Sequence, residues 1–409
     1  MGVAKAARMN RHGRLFAGLS AVLLLVALFA VQAARAHDAG QPAPAAAPAE
    51  PKPEPYVPPA DGPIATDGYY EAIERVADGV WVIRQKSAFH LQPIGNVTVI
   101  EQVDGLVMVD SGGSPGSARR IAGLIRGVSA KPVKALILTH WHGDHSLGFG
   151  ALKAVWPRME VITSETTRTR LRSSMAFYAQ GAPDPVKTAE FMARLNGIDG
   201  FLRDAAVNPR VTDAERAGFA QGAREFVRYR ADADGLFIGL VNRTFTEDLV
   251  LPDAQREIRI FHPGRANTDG DAAVWVKGAR VLITGDLVVA PIPFGFNSYP
   301  SDWLKALDVL LANDFAVMVP GHGAPMTDRA YVLKLKALIE ETRRQVAPLA
   351  AAGKTLDETR KAVDLSAQAA SFVGDDPWLR RWFRAYWAEP FVEAAWKEAK
   401  GLPIEQGRG

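Results

Sequence analysis

The sequence has 409 residues, of which 48% are hydrophobic and 23% charged, so it can bury the core of one large domain or two smaller ones. It contains no cysteine, which excludes disulfides, thiolate nucleophiles and cysteine metal ligands. The formal net charge of +3 misleads, because residues 1–36 hold five basic and no acidic side chains and the remainder holds 43 basic and 45 acidic ones. That balance gives no electrostatic reason to expect a nucleic acid partner.

The first 36 residues have the three-part pattern of a secretory signal peptide. A basic stretch ends at Arg14, residues 15–34 carry no charge, and the small residues Ala34 and Ala36 precede His37. This pattern predicts cleavage after Ala36 and a periplasmic or secreted protein that has no membrane association afterwards. The uncharged run is also long enough for an uncleaved membrane anchor, which remains the alternative.

Residues 37–68 are rich in alanine and proline. Such a segment cannot bury a core and resists regular pairing, so it is interpreted as a semi-rigid linker. The folded domain is predicted to start at Tyr69 and to end near residue 325.

Strand and helix patterns alternate through the first half of this domain. Short runs rich in valine and isoleucine between glycine-containing turns predict strands, and a spacing of three to four between apolar residues predicts helices. Strands are predicted at 80–84, 96–101, 106–110, 133–139 and 160–163, and helices at 114–127 and 147–155. This alternation predicts an α/β domain built around a mixed sheet.

The second half begins with a change of composition. Residues 165–240 are polar and rich in alanine and arginine, which predicts a helical insertion. Beyond it, strands are predicted at 244–251, 257–261, 272–277, 280–284 and 316–319, and helices at 301–312 and 327–350. Residues 326–409 are predicted to form a helical extension whose aromatic stripe, from Trp378 to Trp396, packs on the main domain.

The strongest signal is a cluster of histidines directly after a buried strand. His140, His142, Asp144 and His145 fall within six residues, and Gly143 permits the tight turn that aims them at one point. Imidazole nitrogens and a carboxylate oxygen are the ligands that zinc accepts when no thiolate is present. The sequence therefore predicts a zinc site with one or two ions, in preference to a surface histidine cluster.

This loop, with its surroundings over residues 75–325, resembles the metallo-β-lactamase superfamily. The resemblance implies an αββα sandwich in which His140 and His142 bind a first metal and Asp144 and His145 bind a second. It further implies that Asp286, in a Thr-Gly-Asp stretch, bridges the two metals. The last ligand implied is His322, in a Pro-Gly-His-Gly stretch, which would bind the second metal.

One position departs from the family pattern. Asn267 stands where the third histidine of the first metal is expected, and an amide oxygen is a weaker donor to zinc than an imidazole nitrogen. Asn267 is therefore a tentative ligand with three possible consequences: weak coordination that retains two metals, a sparsely occupied first site, or replacement by His262 or Asp271. The first two are favoured over the third, because His262 lies five residues earlier, near a strand end.

Two further residues near strand ends are candidates for supporting roles. His90 lies in the loop between the first two predicted strands, where it either contacts substrate or is an ordinary loop histidine. Asp110 either orients a metal-bound histidine or simply caps its strand.

The function that follows is a zinc-dependent hydrolase that uses a metal-bound hydroxide to cleave an ester, amide or lactam bond in a small molecule. Asp144 is expected to bind metal and also to orient the nucleophile. The alternatives are a non-catalytic metal-binding protein and a redox member that uses iron. No sequence feature specifies an oligomeric state, and the fold does not by itself specify a substrate.

Overall fold

A computed structural model describes residues 68–87 and 89–406. The predicted signal peptide, and the predicted linker apart from Gly68, lie outside the described residues. Within the described part of the chain, no helix combines the length and the apolar character that crossing a membrane requires.

The first sheet has seven strands, in the spatial order β1-β2-β3-β4-β5-β6-β9. Its first four strands form an antiparallel meander, and β4, β5, β6 and β9 then run parallel to one another. The strands of this sheet are β1 (Glu71–Ala77), β2 (Val80–Gln85), β3 (Val97–Glu101), β4 (Leu106–Val109), β5 (Val133–Ile137), β6 (Glu160–Ser164) and β9 (Arg243–Phe245).

The second sheet has five strands, antiparallel except for the last pair, which is parallel. They are β10 (Leu249–Leu251), β11 (Ile258–Phe261), β12 (Ala273–Val276), β13 (Val281–Ile283) and β14 (Val317–Val319). The single strand predicted at 244–251 is wrong. The polar residues 246–248 separate two short strands there, and these strands belong to different sheets.

The two sheets pack face to face. Because side chains alternate across a strand, Val107 and Val109 of β4 point into one core, which they share with Ile260 and Val274 of the second sheet. Leu106 and Met108 point the other way, into a core shared with the helices. The predicted strands are rich in valine and isoleucine, and burial on both faces of the sheet explains that composition.

Helices cover both outer faces, which confirms the predicted αββα sandwich. On the first sheet lie α1 (Pro115–Val128), α2 (Gly143–Ser146) and α3 (Phe149–Val155). Between β6 and β9 come α4 (Glu165–Ser173), α5 (Pro185–Ala206) and α6 (Asp213–Asp232), together with a small parallel pair, β7 (Ala179–Gln180) and β8 (Phe237–Ile238), that was not predicted.

The remaining helices follow β13, and those after β14 form the C-terminal extension. They are α7 (Pro300–Leu311), α8 (Ala330–Ala351), α9 (Leu356–Ala362), α10 (Ser366–Val373), α11 (Pro377–Phe383) and α12 (Glu389–Ala399), with a π-helical turn at Arg384–Ala388. Trp382, Trp387 and Phe391 of the aromatic stripe are buried. Trp378 packs edge-on against Phe219 of α6, so the extension contacts the helices that precede β9.

Candidate metal centre

Each residue of the predicted cluster lies shortly after the end of a strand. The buried residues Leu138 and Thr139 lead from β5 into His140, and α2 then turns the chain so that His145 points back at the same place. Asp286 lies in the 3-10 turn Gly285–Leu287 after β13. His322 follows β14, which is parallel to β13, and strands that run parallel end at the same edge of a sheet.

The ligand atoms form two sets that share Asp286. One set contains Asp144, His145, Asp286 and His322, and the other contains His140, His142 and Asp286; within each set the atoms lie within 4.8 Å of one another. His145 Nε2 lies 3.1 Å from both His322 Nε2 and Asp286 Oδ1. His322 Nε2 lies 2.9 Å from Asp144 Oδ2. In the other set, His140 Nε2 is 3.1 Å from His142 Nδ1.

These distances fit a metal ion better than they fit direct hydrogen bonds. A tetrahedral ion with metal–ligand bonds of about 2.0 Å holds its ligand atoms about 3.3 Å apart. Both carboxylate oxygens of Asp286 are buried, and among the described residues neither has a hydrogen-bond partner, although His145 Nε2 and His140 Nε2 lie 3.1 and 3.6 Å from them. Unsatisfied buried carboxylate oxygens are costly, and a shared cation would satisfy both.

The electrostatics of the cluster also favour a cation. Burial, and secondarily positive charge on the neighbouring histidines, lowers the pKa of His140 well below its ordinary value, which keeps the ring neutral as a ligand. Burial alone would lower the pKa of His145, but the carboxylates of Asp286, Asp144 and Asp110 outweigh it and raise that pKa. This excess of carboxylates is the environment in which a divalent ion is bound.

Asp110 fixes the orientation of two ligand rings. Its Oδ2 lies 2.9 Å from His145 Nδ1 and also accepts a hydrogen bond from Thr139 Oγ1, at 2.8 Å. Thr139 Oγ1 in turn lies 2.9 Å from His140 Nδ1. With protons on both Nδ1 atoms, the Nε2 lone pairs of His145 and His140 face the cluster. The structure thus supports the orienting role over the simple strand cap, and the strained φ of 63° at Asp110 is held by these contacts.

Two glycines let the backbone approach the cluster closely. A Cβ at Gly321 would lie 2.0 Å from Asp286 Oδ1, and one at Gly95 would lie 2.5 Å from the His145 ring. Gly95 also donates its backbone N–H to Asp144 O at 3.0 Å. Neither position can carry a side chain without displacing a ligand residue.

Asn267 is buried and its amide is held in one orientation. Nδ2 donates to Phe294 O at 2.7 Å, while Oδ1 is buried without a hydrogen-bond partner among the described residues. His262 and Asp271, the two candidates to replace Asn267 as a ligand, both have other contacts. The exposed His262 has its Nδ1 2.5 Å from Asp271 O. The Asp271 carboxylate accepts hydrogen bonds from Thr268 N and Thr268 Oγ1. Burial raises the pKa of Asp271 to about 7.

A serine in a nucleophile-like spacing is not a competing site. Residues 112–116 follow the Gly-x-Ser-x-Gly pattern of serine hydrolases, between a strand and a helix. Ser114, however, caps α1 by accepting a hydrogen bond from Ser117 N at 3.1 Å, and it is 1% exposed. The pattern here serves helix capping.

A cleft opens beside His322. It is walled mainly by apolar side chains from the β2–β3 loop and from the segment that follows the 3-10 turn. The lining residues are Gln85, Ser87, Phe89, His90, Pro93, Ile94, Asn96, Ala290, Ile292, Phe294, His322 and Gly323. Phe294 has its ring centroid 5.2 Å from that of His322 and 4.9 Å from that of Tyr386, so the C-terminal extension supports this wall.

Several residues around the cluster were missed by the sequence reasoning. Tyr178, Tyr229 and Tyr386 are buried, and burial together with the negative charge of Asp144 raises the pKa of each hydroxyl. Two of them precede β9 and the third belongs to the C-terminal extension, so chain spacing gave no signal that they meet near Asp144. The predicted packing of the C-terminal extension on the main domain is the one sequence inference that bears on them, and it concerns Tyr386.

Comparisons with known proteins show which proteins this chain resembles. The chain is 26% identical over 302 residues to the linear primary-alkylsulfatase of a Pseudomonas species, a match that covers 70% of this chain and 52% of that protein. The solved structure of the stereoselective inverting sec-alkylsulfatase Pisa1 from Pseudomonas sp. matches with a TM-score of 0.56 at 16% identity, covering 82% of this chain and 51% of that one. This chain thus spans about half the length of these relatives.

A metallo-β-lactamase from Pontibacter korlensis aligns over 66% of this chain and 99% of its own, at 18% identity and a TM-score of 0.45. The family model described as the metallo-β-lactamase superfamily matches residues 92–322, a stretch that contains every residue of both ligand sets. Because this match spans more than half of the 409 residues, the chain belongs to the metallo-β-lactamase superfamily.

Proposed function

We propose that this protein is a metal-dependent hydrolase that acts on a small molecule. The observation that carries the proposal is the convergence of two sets of ligand atoms on the shared carboxylate of Asp286, which has no hydrogen-bond partner in the described part of the chain. An open cleft adjoins His322, so a substrate can reach the cluster from one side. Hydrolases among the relatives support the same reaction class.

Zinc is the metal that best suits this donor set. His140, His142 and Asp286, with Asn267 as a weak fourth donor, would hold one ion, and Asp144, His145, His322 and Asp286 would hold the other. Nitrogen and oxygen donors at tetrahedral spacing are typical of catalytic zinc sites. When bound, such an ion lowers the pKa of water and polarises the scissile bond.

The protein's own residues have three tasks in this reaction. Asp110 and Thr139 hold the rings of His145 and His140 with their Nε2 lone pairs turned inward. Asp144, in addition to its role as a ligand, accepts a hydrogen bond from the attacking water and orients it. The apolar wall around Phe294 holds the substrate and excludes bulk water from the reacting bond.

The bond cleaved belongs to an ester, amide or lactam, because the cluster supplies a nucleophile and charge stabilisation for a carbonyl centre. A second candidate is a sulfate ester, which is favoured by the alkylsulfatase match over 70% of the chain. Parallel assays of carboxylic and sulfate esters that share one alkyl group separate the two.

The proposal also includes secretion of the protein. Residues 1–36 direct secretion and are removed after Ala36, so the mature enzyme begins at His37 and acts in the periplasm or outside the cell. N-terminal sequencing of the protein recovered from an exporting host tests this, and retention of residues 1–36 in a membrane fraction would indicate the anchor instead.

The experiment that tests the function combines metal content with activity. Protein purified from residue 37 onward is expected to contain up to two zinc ions per chain and to hydrolyse members of an ester, amide and lactam panel. His145→Ala should lose one ion and most of the activity. A metal-loaded protein that hydrolyses no panel member would favour the non-catalytic alternative, and redox-active iron in place of zinc would favour the iron alternative.

A further inference from the structure

The cleft beside His322 contains five polar side chains, and four of them are already engaged. Gln85 donates Nε2 to Tyr69 O at 2.8 Å and accepts from Ile94 N at 2.9 Å. Asn96 donates Nδ2 to Pro320 O and Gly323 O. Ser87 is engaged by a neighbouring group, and His322 Nε2 belongs to the metal cluster. The fifth side chain is His90.

His90 differs from the other four in its hydrogen bonding. It is 4% exposed, and neither ring nitrogen has a well-directed hydrogen-bond partner among the described residues. Nδ1 lies 2.9 Å from Oε1 of Glu225 on α6, a carboxylate that is also buried, although the N–H direction is out of line with the oxygen. Because Nδ1 faces the Glu225 carboxylate, Nε2 is the ring nitrogen left for a group bound in the cleft.

The loop that carries His90 is held by its neighbours on both sides. The Phe89 ring stacks on Trp382 at 6.3 Å and meets Tyr386 edge-on at 5.7 Å. Leu91 packs so closely on α6 that a Cβ at Gly222 would lie 2.4 Å from Leu91 Cδ1. These apolar contacts position the loop, so the ring nitrogens of His90 are not needed to anchor it.

We propose that His90 donates the proton to the leaving group during hydrolysis, and that Glu225 positions its ring through Nδ1; this inference rests on the proposed function. Water adds to the carbonyl carbon, and the bond from that carbon to the leaving oxygen or nitrogen then breaks. The electron pair goes to the leaving atom, which takes the Nε2 proton of His90. The ring regains a proton from solvent, which receives the one lost by the attacking water.

The test is the dependence of rate on the leaving group. Esters that share one acyl group are compared, with leaving groups from p-nitrophenol to simple alcohols. A proton donor matters most for poor leaving groups. His90→Gln is therefore expected to lower kcat about 100-fold or more for the alkyl substrates and less than about fivefold for the nitrophenyl ones. Glu225→Gln should show the same selectivity to a smaller extent.

Leu91→Ala is the matched control, because it loosens the same loop without removing a polar atom. It should lower all rates by a similar factor. Equal losses across the series in His90→Gln would overturn the proposal and give His90 a structural role. A wild-type protein that retains its metal and hydrolyses no substrate in the series would instead overturn the proposed function.

Discussion

The two ligand sets share Asp286 but differ in the donors they offer and in how those donors are supported. The set around His145 and His322 has four donors from histidine and aspartate. The set around His140 and His142 has three, and the neutral amide oxygen of Asn267 is the weak fourth donor proposed for it. The His145 ring contacts the Asp110 carboxylate directly, whereas His140 reaches it only through Thr139.

From this difference we expect two metal sites that share Asp286 and differ in affinity. A carboxylate that orients a histidine raises the basicity of the ligand nitrogen, and a hydroxyl does so less. An amide oxygen adds less binding energy than an imidazole nitrogen. We therefore expect the set around His145 to bind zinc first and more tightly.

The largest effect is expected when Asp286, the ligand that the two sets share, is removed. Asp286→Ala deprives both sets of a charged donor, so both ions should bind weakly. Metal catalysis supplies several kcal/mol of transition-state stabilisation, so kcat/KM should fall by about 10³-fold or more. Metal analysis and kinetics check this; loss of only one ion, with the second undisturbed, would show that Asp286 is not shared.

The next largest effect is expected from a change at Asp110, which orients one histidine ring in each set. In Asp110→Asn, a carboxylate no longer accepts from His145 Nδ1 and Thr139 Oγ1, and zinc affinity should fall about 10- to 100-fold. The loss should be larger for the set around His145, because that contact is direct. Competition with a chromophoric chelator measures it, and an unchanged affinity at both sites would contradict the orienting role.

Much of this centre was visible in the sequence, and the reasons are physical. The spacing of His140, His142, Asp144 and His145 after a buried strand is local information, and short apolar runs marked the strands whose ends carry Asp286 and His322. The resemblance to the family indicated that Asp286 and His322 join the histidine cluster in one site, and the structure brings all six residues together.

What the sequence could not predict depends on contacts between distant segments. Glu225 meets His90 only because α6 packs over the β2–β3 loop, and Tyr386 reaches Phe294 only through the C-terminal extension. The split of 244–251 into two strands was missed because a short polar turn inside an apolar run is a weak signal.

A smaller effect is expected when the unequal sets are made more alike. Asn267→His supplies an imidazole in place of the amide and should tighten zinc binding at the set around His140 by about tenfold. Asn267→Ala is the control that removes the amide without replacing it, and it should weaken the same site. Zinc retained after dialysis against graded chelator measures both variants. Equal retention in the two would mean that residue 267 does not reach the metal.

The smallest effect concerns the loop that carries Asn267. The pKa of Asp271 is about 7 in the folded protein, raised above the value of about 3.9 in an unfolded chain. The folded state therefore binds this proton more tightly, and the associated stability is lost as pH rises from about 4 to about 7. Asp271→Asn should flatten that decline by on the order of 1 kcal/mol. Urea unfolding at pH 5 and pH 8 compares the two proteins, and parallel pH profiles would contradict the assignment.

The inequality of the two ligand sets is tested most directly by stepwise calorimetric titration of metal-free protein with zinc. The wild type should bind two ions in steps whose dissociation constants differ by about tenfold or more. His145→Ala should lose the tighter step, and His142→Ala should lose the weaker one. Two equal steps in the wild type, or loss of the tighter step in His142→Ala, would contradict the account.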